Sequence, residues 1–273
     1  MHLSEINIYP VKSLRGIWLS ESTVEPRGLT FDRRWMLVDS DGRFMTQREF
    51  PRMALISVEV NSSGLTVGAP ETEPLWISSG AKKDTVRLHP VTIWNSVCEA
   101  AFYPAEVNAW FSGVLGTECR LVAMPETTKR PVDPEYALRP ADDHVSFADG
   151  YPFLLIGEGA LADLNSRLEE KVPMNRFRPN FVVAGSEAFA EDGWKKIRIG
   201  ETIFHVVKPS ARCVLTTVDQ ATGIKDGKEP LRTLASFRTV GQKVLFGQNL
   251  IAEDTGRVIR VGDKVEVLET TVL

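Results

Sequence analysis

The sequence predicts a mostly β protein with a few packed helices, an α+β architecture. Short β-rich runs separated by Gly, Pro and Asp turns dominate its 273 residues. Asp-Gly at 41–42 and Gly-Asp at 262–263 each stand between strand-like runs, which is the short-range signature of a hairpin. Apolar residues recur at helical spacing in only three stretches.

In chain order, "RRWMLVDSDGRFM", "MALISVEV", "LTVGAP" and "TVRLHPVTIW" are predicted strands. A helix is predicted in "PAEVNAWFSGVLG", where Val107, Trp110, Phe111, Val114 and Leu115 share a side. Pro104 stands near its start and Gly116 serves as its C-cap. The segment 125–143, "PETTKRPVDPEYALRPADD", is rich in Pro and charge and lacks periodicity. It reads as a long loop or linker, with a domain boundary near 120–145. A second helix in "EGALADLNSRLEEKV" carries the stripe Leu161, Leu164, Leu168 and Val172, and Pro173 ends it. "FVVAG" and "KKIRIGETIFHVV" return to strand, and "EPLRTLASFR" is a short third helix. "RVIRVGDKVEVLE" closes the chain, alternating Val265 and Val267 with charged neighbours as a half-exposed strand does.

The composition, 43% hydrophobic and 25% charged, is that of a soluble globular protein with room for one large or two modest domains. A net charge of −4 gives no global reason to bind nucleic acid or anionic lipid, so any anion site must be a local basic cluster. Cys98, Cys119 and Cys213 form no C-x-x-C pair, which argues against a disulfide framework and a zinc ribbon. They are also one short of the usual four thiolates, so no iron–sulfur cluster is expected in this chain. The N-terminus lacks the charged and apolar regions of a signal peptide, and no stretch approaches about 18 apolar residues. A cytoplasmic protein without membrane contact is expected.

Five constellations could carry chemistry. In "YPVKSLRG", Lys12 and Ser13 suit a phosphate or other oxyanion, although a solvated loop after a first strand explains them too. In "GLTFDRRWMLVD", adjacent arginines on a strand point to opposite faces, and Asp32 can neutralise a buried one. In "NRFRPNFVVAG", Arg176 and Arg178 share a face if the chain is extended, with Asn180 as a neutral donor. The pair suits bidentate anion recognition or the capping of helix carbonyls. In "SFADGYPFLLIGE", Asp149-Gly150 forms a turn ahead of an apolar strand, with the carboxylate either at a site mouth or bonded to its own turn. In "SARCVLTTVD", Cys213 beside Arg212 is either a small core hydrophobe or a thiolate. The four histidines show no metal-ligand spacing, and no P-loop or nucleophile elbow occurs. Dispersed basic and hydroxyl groups plus one thiol would suit a phosphorylated organic cofactor carrying a soft metal.

The motifs together resemble the MOSC-domain molybdenum enzymes, namely the mitochondrial amidoxime-reducing components and their bacterial YcbX-type relatives. The resemblance runs through "YPVKSLRG", "TQREFPRMALI", "FADGYPFLLIGEGALADLNSRL", "NRFRPNFVVAG", "RCVLTTVDQATG", "EPLRTLASFR" and "FGQNLI". It implies a β-barrel-like N-terminal domain over 1–120 and a β-barrel MOSC domain over 121–273, enclosing a molybdopterin-type molybdenum cofactor. It implies reduction of N-hydroxylated compounds, such as amidoximes or hydroxylamino-purines, by oxygen removal. The electrons would come from a separate ferredoxin- or flavin-type partner. By the same resemblance Cys213 ligates the metal, and Lys12, Ser13, Arg33 and Arg178 hold the pterin and its phosphate. Asp149, Gly150 and Tyr151 line the metal site, with Asp149 as a proton donor. Ala211, Arg212 and Asn249 touch the cofactor, and Asn180 is added to that set. Ser210 stands where relatives often carry a second cysteine, and Gly150-Tyr151 replaces a hydroxyl-bearing pair. A carrier of the cofactor or of sulfur, without turnover, is the alternative.

Overall fold

A computed structural model describes residues 1–79, 88–225 and 227–271. The N-terminal strands are β1 (His2–Ile8), β2 (Ile17–Leu19), β3 (Glu21–Glu25), β4 (Gly28–Leu29) and β5 (Trp35–Val38). They are followed by β6 (Ser57–Asn61), β7 (Gly64–Ala69), β8 (Thr72–Ser78), β9 (Leu88–Ile93), β10 (Ser96–Phe102), helix α1 (Ala105–Leu115) and β11 (Arg120–Ala123). The remainder comprises β12 (Phe153–Gly157), α2 (Glu158–Ser166), β13 (Phe181–Ala184), β14 (Trp194–Ile199), β15 (Thr202–Arg212) and α3 (Leu231–Arg238). It ends with β16 (Thr239–Val240), β17 (Lys243–Ala252), β18 (Val258–Arg260) and β19 (Val265–Thr270). The mostly β expectation with a few helices is what the fold shows. Of the "TVRLHPVTIW" run, Thr85–Arg87 lie outside the described residues and Leu88 onward is β9.

The largest sheet has the order β19-β14-β15-β17-β12-β13-β1-β2, antiparallel except where β12 runs parallel to β13. A bridge from His2 to Lys264, and the bond from Leu3 N to Asp263 O, link β1 back to the approach to β19. The strand path therefore wraps around one core in barrel-like fashion. Side-chain alternation decides which core each residue joins. Phe153, Leu155, Phe181 and Val183 point inward with Phe204 and Leu250, while Ile156 and Val182 point outward against α2 and α3. "FVVA" is a continuous apolar run because both faces of β13 are covered.

The N-terminal half packs the sheet β5-β11-β10-β9 and the three-stranded sheet β6-β7-β8 around α1. The two halves interleave. β1 pairs with β13, and β11, at the expected 120/121 boundary, pairs with β5.

Two sequence expectations are corrected. Gly262-Asp263 is a turn but not a hairpin, since β18 pairs with β3 and β19 with β14. The second helix stops at Ser166 rather than continuing to Val172. The Asn165 amide both donates to Val172 O and accepts from Val172 N, at 3.0 and 2.9 Å, folding the chain back. Leu168 and Val172 still reach the same core.

Candidate active site

All twelve candidate residues line one cleft where the two halves meet. Lys12 and Ser13 come from the loop after β1, Arg33 from the loop before β5, and Asp149, Gly150 and Tyr151 from the loop before β12. Arg178 and Asn180 precede β13, Ala211, Arg212 and Cys213 close β15, and Asn249 lies on β17.

Left-handed backbone concentrates here. Ser13, Arg33, Trp94 and Arg178 all line the cleft with φ of 65°, 49°, 52° and 56°. Such conformations cost free energy in non-glycine residues and persist only where surroundings enforce them. Arg33 and Arg178 are thereby corrected: neither lies on a regular strand. Arg33 leaves a turn to meet Asp32 at 2.7 Å, while Arg34 diverges to Glu25 at 2.7 Å. Arg176 ends a short 3-10 turn and bonds Asp219 at 3.0 Å, so it does not share an extended face with Arg178.

Tyr9 organises the basic groups. Its ring carries the Arg33 and Arg178 guanidinium carbons 4.4 and 4.2 Å from its centre, and its hydroxyl donates to Pro179 O. Burial pushes the Tyr9 hydroxyl up to about 12 despite the two arginines, so it stays neutral. Burial likewise lowers Arg178 to about 10. A buried relay supports the strained loops: Gln47 donates to Ser13 O at 2.8 Å, Gln220 donates to Gln47 at 2.8 Å, and Arg178 reaches Gln220. Sequence reasoning missed Tyr9, Gln47 and Gln220. The only signal was their presence inside the quoted motifs.

Lys12 is buried, and its ammonium donates to Phe147 O at 2.9 Å and to Asp149 Oδ1 at 2.5 Å. Burial lowers Lys12 to about 8, against the opposing pull of Asp149. The Asp149 side chain is exposed at the cleft, and Lys12, the Trp94 indole N–H at 3.0 Å and Arg33 hold it well below the usual carboxylate range. Asp149 is thus held as the ionised partner of the Lys12 ammonium and the Trp94 indole. Arg130, from the segment read as a linker, donates to the carbonyls of Ser146, Ala148 and Asp149 and fixes the loop.

Arg212 donates to Phe246 O and Phe177 O, yet its Nη2 is buried without a partner. Burial lowers it to about 10, and proximity to Cys213 acts the other way. Cys213 is exposed at the end of β15, with Ser210 buried at a bulge three residues earlier. Asn180 spends its amide on structure. It accepts from Leu154 N and Arg33, and donates to Asn7 O.

Family models match residues 1–118 as a MOSC N-terminal beta barrel domain and 142–266 as a MOSC domain. The human mitochondrial amidoxime-reducing component 1 is 35% identical over 97% of this chain and 82% of its own length. The chain belongs to the MOSC-domain family of amidoxime-reducing components. The rat mitochondrial amidoxime reducing component 2 is 37% identical to this MOSC protein, covering 96% of it and 82% of the relative. A rice molybdenum cofactor sulfurase is 33% identical over 97% of the chain, which spans 35% of that longer protein. Among solved structures, YiiM from Geobacillus stearothermophilus matches 44% of the chain and 55% of its own, at 16% identity and a TM-score of 0.32. The cytoplasmic expectation is corrected, because relatives matching nearly the whole chain are named as mitochondrial proteins. Among the described residues no helix is long and apolar enough to cross a membrane.

The residues present fit an anionic cofactor. Three of the partnerless buried polar atoms belong to cleft-lining side chains: Arg212 Nη2, Arg176 Nε and Tyr151 Oη. A buried donor without an acceptor is costly and is relieved by an anion. No group of three or more His, Cys, Asp or Glu ligands exists among the described residues.

Proposed function

We propose that this MOSC protein is a molybdenum-cofactor-dependent oxidoreductase that reduces N-hydroxylated compounds such as amidoximes and hydroxylamino-purines. The observation carrying this reading is the strained basic cleft that leaves Arg212 Nη2 without a partner beside the exposed thiol of Cys213. When bound, the molybdopterin-type cofactor supplies the two-electron centre that removes oxygen from nitrogen. Conversion of R–NHOH to R–NH2 consumes two electrons and two protons and releases water. The electrons come from a separate donor protein.

The chain's own residues bind and orient. Arg33, Arg178 and Arg212 compensate phosphate charge, with Ser13, Ala211 and Asn249 along the same wall. Cys213 would hold the metal through its exposed sulfur. Lys12 Nζ and the Asp149 carboxylate 2.5 Å from it hold and move the proton, burial lowering Lys12 to about 8. Gly150 and Tyr151 shape the substrate side, where the partnerless Tyr151 hydroxyl is available to a polar group.

Protein purified from a cofactor-competent host is expected to contain molybdenum and pterin in equal amounts. Cys213→Ser is expected to lose at least about a hundredfold in amidoxime reduction while keeping its circular dichroism and melting temperature. Full activity in Cys213→Ser, or metal-free and pterin-free wild type, would refute the reading. The match to a protein named a cofactor sulfurase favours one second reading, a carrier without turnover. A molybdenum-loaded protein inert toward every N-hydroxylated substrate with a chemical reductant would select it.

A further inference from the structure

Trp94 is the one cleft-lining tryptophan among the described residues, and it is 43% exposed. It comes from the other half of the molecule than Cys213, at the two-residue turn joining β9 to β10, whose ends pair Ile93 with Ser96. The backbone there has φ 52°, where a tight hairpin asks for glycine. A bulky aromatic residue in that position is strained, and neither core packing nor turn chemistry calls for it. Two contacts fix the ring plane. The indole N–H donates to Asp149 Oδ1 at 3.0 Å, and the Arg48 guanidinium lies 4.3 Å from the ring centre. Phe44 packs at 5.0 Å and tilts by 51°, bracing the same cluster. Arg48 is itself held by Thr46 Oγ1 at 3.2 Å. The result is a pre-set aromatic surface lining the cleft, with one delocalised cation already over its ring.

We propose that Trp94 is a specificity-determining shelf on which the aromatic ring of an N-hydroxylated substrate stacks, so that aryl substrates are preferred over alkyl ones. This rests on the reductase reading above. Stacking on an exposed indole is non-directional within the ring plane, so it selects flatness and conjugation rather than one ring. The hydrogen bond to Asp149 ties the shelf to the loop that lines the cleft.

Trp94→Gly is the deciding variant, because glycine relieves the left-handed strain and the variant is expected to melt no lower than wild type. With cofactor-loaded protein and a chemical reductant, the ratio of kcat/KM for benzamidoxime over acetamidoxime is expected to fall about tenfold in Trp94→Gly. The loss should sit in KM for benzamidoxime, and Trp94→Phe should restore most of the ratio. A ratio within about twofold of wild type, or equal losses for both substrates, overturns the proposal. Fluorescence supplies a readout independent of turnover: benzamidoxime is expected to quench wild-type emission and to quench Trp94→Phe far less, and equal quenching overturns the shelf. Molybdenum-loaded wild type that is inert toward every N-hydroxylated substrate yet shows Trp94-dependent quenching would refute the reductase reading and leave the shelf standing.

Discussion

Lys12 and Asp149 show how one contact redistributes the chemistry of a cleft. Each is ordinary in sequence; together they make a buried cation near neutrality and a firmly ionised carboxylate. The consequence has a definite sign. Lys12 is charged below about pH 8 and sheds its proton above it, so attraction for an anion is full at low pH and lost as pH rises. Affinity for inorganic pyrophosphate is expected to fall by up to about tenfold per pH unit beyond that point. Lys12→Arg, which keeps its charge, should flatten the profile in calorimetric titrations from about pH 6.5 to about 9.5. A parallel decline in both proteins would remove Lys12 as the cause. The candidate residues were legible through their motifs, but the left-handed backbone at Ser13, Arg33 and Arg178 was not. No residue type at those positions announces it, since long-range contacts enforce it.

Local periodicity at the level of single elements was legible where tertiary contacts agreed with it. Helix α1 runs between Pro104 and Gly116 as its spacing predicts, with Gly116 left-handed at φ 68° as a C-cap. Helix α2 is shorter than its apolar stripe because Asn165 clamps Val172, and a side-chain amide outcompetes another helical turn. Asn165→Ala is expected to cost about 1–3 kcal/mol from the lost pair of hydrogen bonds. Urea denaturation measures it, and an unchanged midpoint would show that Leu168 and Val172 dock without the clamp. The Gly-Asp turn at 262–263 misled for a related reason. Turn chemistry reports a reversal of chain direction, not which sheet receives the next strand.

The whole molecule is held by strands exchanged between its halves. β1 belongs by sequence to the N-terminal half and by hydrogen bonding to the large sheet, with Ile6 opposite Phe181 and Leu19. The loop that follows runs back beside β5, where Lys12 N donates to Trp35 O, and so delivers Lys12 and Ser13 to the cleft. Ile6 is fully buried, and Ile6→Ala is expected to cost about 2–5 kcal/mol. Because β1 bridges the halves, denaturation should remain a single transition shifted as a unit. Two separated transitions, only one of them displaced, would show that the halves fold independently.

By itself the sequence determined the fold class, the helix positions and the residue types that gather at the cleft. Alternation, turn residues and short motifs are local properties, and a local reading recovers them. Only the tertiary structure decided that Asp149 pairs with Lys12, that Arg130 braces the loop carrying Asp149, and that Trp94 from one half faces the same cleft as Cys213 from the other. Burial, ion pairing and strain depend on groups brought together from separate parts of the chain, as Lys12 and Asp149 are. Spacing along the chain carries no record of them.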